Sequence, residues 1–262
     1  MTGHGFQGTI GAINPLGVIY IVPFIYETAV TYTDIGPDQL LSHRGLLRVM
    51  QEAAAIASDE CGYGVKDVAS KGVCWILTGW RLELLERVSW RAPLAVHTWP
   101  RSLDGFLSDR DFLVYAGNRL IARATSRWFL VSAATGRIAR ITDQVKSAYE
   151  LEDRAVFDTP IPSNGKSPAD ARETFSAVVG RRDIDTNHHV NNIHYWDYAL
   201  EALPEEVARD LPPTAEIVFR RQILLGTPIR CLYSLTADGK HQVEIQSGEG
   251  DHVVHHAFVW LY

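Results

Sequence analysis

Two stretches of this chain carry apolar residues at helical spacing, and most of the rest falls into β-type runs. Segment 45–60 places Leu46, Leu47, Val49, Met50, Ala53, Ala54 and Ala57 on a helical period, which predicts a helix. Gly62 and Gly64 end it. Segment 192–203 is aromatic on one face and stops at Pro204. Strands are expected over 74–85, 94–99, 108–115 and 120–131, then over 215–221, 228–237, 242–246 and 252–262. Gly117-Asn118 reads as a hairpin turn, and Asp238-Gly239 and the glycines at 248 and 250 supply others. The stretch 158–170 is rich in Pro, Gly and Ser and reads as a linker.

The two helices belong to a repeat. Sliding the chain by 149 residues puts Asp34-Ile35 on Asp183-Ile184 and Glu52-Ala53 on Glu201-Ala202 without a gap. With shorter offsets, residues 93–96 lie over 228–231, and 124–130, with Trp128, lie over 256–262, with Trp260. Three matches in one order predict a duplication. Each half runs strand, loop, helix, then several strands. A helix apolar on most sides must be buried, so each sheet should wrap around its helix. The expected fold is therefore α+β, a tandem hot-dog. An N-terminal hot-dog domain with an arm would span 1–157, a linker 158–172, and a C-terminal hot-dog domain 173–262. Two such units should pack together, because each sheet has edges to cover.

Composition narrows the partners. A net charge of −6 over 262 residues argues against nucleic acid. Cys61, Cys74 and Cys231 share no metal-like spacing, and a small odd count suits a reducing compartment. No basic leader with a cleavage site is evident. The apolar run 16–26 is short and broken by Pro23, so it should be an entry strand or packing arm, not a membrane span. These features point to a cytoplasmic protein without a membrane partner.

The densest chemistry lies in Arg182-Asp183-Ile184-Asp185-Thr186-Asn187-His188-His189-Val190-Asn191-Asn192. Asp185, Asn187 and His189 place a carboxylate, an amide and an imidazole at alternate positions, just before a helix N-terminus. Asp185, Asn187 and Asn191 also suit plain helix capping or an Asx turn. His188 should face solvent, His194 the helix surface, and the rings of His255-His256 opposite faces of a strand. None has zinc-like spacing, so neither a metal nor another cofactor is expected. Cys61 and Cys74 read as small buried hydrophobes, and Asp59 and Glu60 as solvent-facing. No G-x-S-x-G elbow or Gly-rich phosphate loop occurs.

The run 183–192 resembles the D-x-N-x-H-V-N-N signature of the acyl-acyl-carrier-protein thioesterases of plants and bacteria. Residues 195–204 continue the likeness. So do Gln51-Glu52-Ala53-Ala54, the tract 75–84, Thr98-Trp99-Pro100, Arg110-Asp111-Phe112 and Ser126-Arg127-Trp128 of the first half. The resemblance implies a double hot-dog hydrolase that releases fatty acids from the phosphopantetheine arm of acyl carrier protein. It implies catalytic roles for Asp185, Asn187 and His189. Plant members carry a Glu-Cys pair after two arginines in the next strand, whereas Gln222-Ile223 follows Arg220-Arg221 here. Glutamine cannot be a general base, so Gln222 is expected to orient water or substrate by hydrogen bonding.

The first-half positions matching the triad are Gly36, Asp38 and Leu40. That half is therefore expected to hold the acyl chain, lined by 45–57 and 75–84. Arg81, Arg87, Arg101, Arg110, Arg220 and Arg221 are candidates for docking an acidic carrier. Rival readings are an acyl-coenzyme A thioesterase, a non-catalytic acyl-thioester-binding module and an enoyl-thioester hydratase. A homodimer is an open expectation.

Overall fold

A computed structural model describes residues 23–168 and 170–262. The expected N-terminal arm lies outside them up to residue 22. From Phe24 the run is strand. The strands are β1 (Phe24–Ala29), β2 (Val73–Leu84), β3 (Pro93–Asp104), β4 (Leu107–Ala116), β5 (Arg119–Ser132), β6 (Arg172–Val178), β7 (Thr214–Phe219), β8 (Pro228–Leu235), β9 (His241–Ser247) and β10 (Val254–Leu261). The helices are α1 (His43–Glu60), α2 (Val68–Lys71), α3 (Asp143–Lys146), α4 (Asn192–Ala202) and α5 (Glu205–Arg209).

All these strands join one antiparallel sheet in the order β1-β3-β4-β5-β2-β7-β10-β9-β8-β6. Read inward from each edge, the two halves have one plan. The repeat is thus visible as topology, and the fold is the tandem hot-dog. The halves meet where β2 pairs β7, with Trp80 opposite Ile217 and Leu82 opposite Ala215. These four side chains are buried in one core with Leu46, Met50 and Trp196 of the helices. Each fully buried Leu or Met contributes about 1.5–3 kcal/mol. α1 packs on β3, and α4 on β6, β8 and β9.

Local chemistry explains the ends. Ser42 caps α1, its Oγ accepting from the Gly45 N–H at 3.0 Å, so the helix starts two residues before the periodic segment. Gly117 has φ 60° in the two-residue hairpin between Ala116 and Arg119, the left-handed geometry that glycine favours. β7 ends at Phe219, earlier than expected, so Arg220 and Arg221 lie in the following loop. β3 runs on to Asp104 past a bulge between Pro100 and Ser102.

The stretch read as a linker packs across the sheet as a strap. Arg81 and Glu216 face each other on β2 and β7, away from the helices, and form a buried ion pair. The same guanidinium donates to the Thr159 carbonyl and hydroxyl, both at 2.8 Å, and to the Pro160 carbonyl at 3.0 Å. Ile161 is buried with Val218, Phe258 and Trp260. The Gln242 amide donates to the Lys166 carbonyl at 3.0 Å. These bonds compensate a charge pair that would otherwise be costly to bury.

Gly165 lies against the Phe258 ring, and a Cβ there would sit 2.2 Å from the ring's Cγ. Gly165→Ala should therefore destabilise by about 1–3 kcal/mol, read as a lower urea midpoint. An unchanged midpoint would mean that the strap does not pack there. A second expectation concerns His43, which stacks on Trp196 with centroids 5.5 Å apart. Burial, aided by the Arg87 charge, holds its imidazole down at about 4, against roughly 6.5 when unfolded. Protonation thus favours the unfolded chain. The neutral ring's contribution is complete above pH 6.5 and is lost as pH falls toward 4, up to about 3 kcal/mol. His43→Phe should flatten this part of the stability–pH curve; an unaltered slope would refute the assignment.

Candidate active site

The loop before α4 is built like its counterpart before α1. Gly180 N–H donates to Asp183 Oδ2 at 2.8 Å, as Thr31 N–H does to Asp34 Oδ2 at 2.9 Å. Asp185 N–H donates to the His189 carbonyl, as Gly36 N–H does to that of Leu40, both at 2.9 Å. His188 and Gln39 both adopt positive φ, 63° and 67°. Asn191 and Ser42 occupy the helix N-caps. Each pair differs by 149 residues, the offset found in the sequence. One turn has been kept in both halves, and only its side chains have diverged.

In the second half that turn presents chemistry. Asp185 Oδ1 accepts from the Asn187 N–H at 2.8 Å, an Asx turn, while Asn191 Oδ1 accepts from Ile193 N–H at 3.0 Å. Capping and turn formation are therefore real for these two residues. His189 Nδ1 lies 3.8 Å from Asp185 Oδ1 and 3.3 Å from the Val190 carbonyl. Two acceptors facing Nδ1 favour the tautomer with its proton there, which leaves the lone pair on Nε2. Asp185 and His189 are half-buried, and Asn187 is exposed.

Asp185, Thr186, Asn187, His189 and Asn192 form part of the wall of a cavity of about 210 Å³. The rest of the wall comes from the first half: Gln51, Ala54, Ala55 and Ser58 of α1, Tyr63, Gly64 and Val65 after it, Val68 of α2, Cys74 to Leu77 of β2, Ser108 and Arg110 of β4, Trp128 of β5, and Tyr149. The polar loop of one half thus opens on the interior of the other. Gln51, Ala54, Ala55, Trp75, Ile76 and Leu77 fall within the two segments expected to line the slot.

Gln222 is placed differently. It is exposed on the loop after β7 and outside the cavity wall. Its neighbour Ile223 accepts from Val190 N–H at 2.9 Å, so this loop abuts the motif through the backbone. Among the described residues, no hydrogen bond joins the Gln222 side chain to Asp185, Asn187 or His189.

The docking arginines also sort out. Arg81 and Arg110 are buried, Arg101 pairs with Asp109 at 2.9 Å, and Arg87 pairs with Asp38. None of the four is free for an acidic surface. Arg220 and Arg221 are exposed, as are Arg181 and Arg182 beside the motif. His194 is tied to Asp197 at 2.9 Å. His256 turns inward to Ser247 Oγ while His255 is half-exposed beside Glu244, opposite faces as expected. Cys61 and Cys74 are half-buried, and burial pushes both thiols up. Neither is a thiolate nucleophile. Among the described residues no cluster of three His, Cys, Asp or Glu could hold a metal, and no helix is long and apolar enough to cross a membrane.

Wall residues outside the segments expected to line the slot include Ser58, Tyr63, Cys74, Ser108, Trp128 and Tyr149, together with Arg110 in its position on the wall. Strand alternation puts Arg110 in phase with the buried Phe112 and Val114, a signal that a surface reading overlooks.

Known proteins share this plan. A crystal structure of an acyl-ACP thioesterase from Bacteroides thetaiotaomicron superposes with a TM-score of 0.79 at 18% identity, covering 90% of this chain and 96% of the other. The 12:0-ACP thioesterase from Umbellularia californica superposes at 0.79 with 20% identity, covering 93% and 98%. In sequence, oleoyl-acyl carrier protein thioesterase 2 of Arabidopsis thaliana is 25% identical over 191 residues, 66% of this chain and 52% of the relative. The chain spans somewhat over half the length of the curated relatives it matches first. Residues 23–149 match the acyl-ACP thioesterase N-terminal domain and residues 166–261 the C-terminal domain. The gap between the two matches covers much of the packed strap. With both domains present in order, this chain belongs to the acyl-ACP thioesterase family.

Proposed function

We propose that this protein hydrolyses fatty acyl thioesters carried on the phosphopantetheine arm of acyl carrier protein. The observation that carries the reading is the shared cavity. Its wall joins Asp185, Asn187 and His189 to the apolar and aromatic face of the other half. A thioester carbonyl held at the polar loop would leave its alkyl chain along α1 and β2, each buried methylene contributing about 0.8 kcal/mol. The family relationship supports the same substrate class.

In this mechanism water is the nucleophile. His189 Nε2 takes a proton from water as its oxygen attacks the carbonyl carbon, and Asp185 stabilises the imidazolium that forms. Asn187 and the amide of Asn192 at the start of α4 donate to the oxyanion, where the helix dipole favours negative charge. The tetrahedral intermediate then expels the thiolate, the C–S bond breaks, and His189 returns the proton to sulfur. Gln222, on the loop tied to Val190, holds water at the mouth. The exposed Arg181, Arg182, Arg220 and Arg221 meet the acidic carrier.

Release of free thiol from matched acyl-carrier-protein and coenzyme A thioesters tests this reading, with the carrier-bound form expected to react faster. Asp185→Asn and His189→Ala should each lower kcat at least about a hundredfold, with unfolding midpoints close to wild type. Full activity in both variants would sink the site assignment. Gln222→Ala should cost less than about tenfold in kcat, as its exposed position requires. A loss equal to that of His189→Ala would move the general base toward the 222 loop.

A further inference from the structure

Two buried titratable side chains beside the motif have no use in the hydrolysis just described. Tyr195 stands in the first turn of α4, 3% exposed, with its ring edge-on to Phe219 at 5.2 Å. Its hydroxyl donates to the Arg221 carbonyl at 3.3 Å. His256, on β10, is 4% exposed, and its Nδ1 meets the same carbonyl at 3.1 Å. Nδ1 facing a carbonyl carries the proton, so Nε2 accepts from the Ser247 hydroxyl at 2.8 Å. Burial holds the imidazole below its usual range and pushes the phenol up, so both groups are neutral at ordinary pH. One backbone carbonyl thus takes two side-chain donors, in a loop whose residues 220–222 are exposed.

The backbone is tied at the same place. His256 is the bulged residue of β10, between His255 opposite Gln246 and Ala257 opposite Ile245. A bulge leaves one residue out of the ladder and re-aims its side chain. The His256 carbonyl accepts from Arg220 N–H at 2.8 Å and from Arg221 N–H at 3.3 Å. Farther along the loop, the Ile223 carbonyl accepts from Val190 N–H at 2.9 Å, and the Val190 carbonyl lies 3.3 Å from His189 Nδ1. A short chain of contacts therefore runs from Tyr195 and His256 through this loop to the imidazole of His189.

The first half shows which of these bonds the fold needs. There Leu85 and Glu86 N–H donate to the Ile121 carbonyl at 2.8 and 3.1 Å, and Leu41 N–H donates to the Val88 carbonyl at 2.8 Å. Ile121 is likewise skipped in its ladder, between Leu120 and Ala122. Leu85, Glu86, Val88 and Ile121 match Arg220, Arg221, Ile223 and His256 at one constant offset, and Leu46 matches Tyr195 at the 149-residue offset. The bulge and its backbone bonds are common to both halves. The side-chain donors are not, because Leu46 and Ile121 have nothing to donate. They occur in the half that carries Asp185, Asn187 and His189.

We infer that Tyr195 and His256 are positioning residues, a two-donor clamp on the Arg221 carbonyl that fixes the loop after β7 and, through Val190, the orientation of His189. Neither lines the cavity, so neither is a catalytic residue. The clamp deepens the thioesterase reading and rests on it for its purpose.

The test uses kinetics and urea unfolding of the full chain. Tyr195→Phe deletes one hydroxyl and keeps the ring against Phe219, and His256→Ile copies the residue at the matching bulge. Each should lower kcat about tenfold, with KM within about twofold of wild type and a nearly unchanged unfolding midpoint. His256→Asn, which can return an N–H donor near the Nδ1 position, should recover most of the loss. The His189 ring signals in a proton–carbon NMR spectrum, assigned with His189→Ala, should move in Tyr195→Phe. If His256→Ile fails to fold, Tyr195→Phe decides. Wild-type kcat with unmoved His189 signals in Tyr195→Phe overturns the clamp, as does a kcat loss that only tracks a smaller folded fraction. Moved signals in a protein that releases no thiol from any thioester would reject the hydrolase reading and leave the clamp standing.

Discussion

The pairing of β2 with β7 is the contact on which the site depends. It makes one sheet of two, and it decides which surface each half's loop meets. Trp80, Leu82, Ala215 and Ile217 lie on one face of that seam within the common core. On the other face the Arg81–Glu216 pair lies under the strap at Thr159 and Pro160. The seam is therefore sealed on both sides, by apolar packing toward the helices and by a fully bonded charge pair away from them. Without it, Asp185 and His189 would sit on a lone half-sheet, and the first-half chamber would lack its polar wall.

Duplication explains why this arrangement is available. The turns before α1 and α4 share hydrogen bonds, a positive-φ residue and a helix cap at a constant offset of 149 residues. A turn that already orders its backbone can change its side chains cheaply. In the first copy Leu40 stands where His189 stands in the second, and Gly36 where Asp185 stands. One copy lost or never acquired the polar set, and its helix and strands line the chamber.

Much of this was legible in the sequence because it is local or periodic. The helical spacing of Leu46, Val49, Met50 and Ala53, the Gly117-Asn118 turn and the repeat offset all express short-range rules. The grouping of Asp185, Asn187 and His189 was legible as a motif, and the structure places all three on one cavity wall. Order in residues 158–168 was not, because Pro, Gly and Ser signal only an absence of helix or strand. The partners that hold the strap, Arg81, Gln242 and Phe258, come from distant strands. Arg220 and Arg221 were expected in the strand for a similar reason: β7 ends at Phe219, and Arg220 N–H turns back to the His256 carbonyl at 2.8 Å, a long-range bond.

The motif also shows that a structural reading and a chemical reading of the same residue need not compete. Asp185 spends Oδ1 on the Asn187 amide, and that bond fixes the turn. The same Oδ1 is the oxygen nearest His189, and a carboxylate oxygen carries about two lone-pair sites, so it can hold the loop while the group still faces the imidazole. Asn191 caps α4, its Oδ1 accepting from the Ile193 N–H, and Asn192 at the start of the helix lines the cavity. The capping residues thus hold Asp185, Asn187 and His189 in register. This is why an Asx turn directly before a buried aromatic helix is a suitable place for a site. The backbone is already rigid, and the helix start supplies donors that need no reorganisation as charge develops.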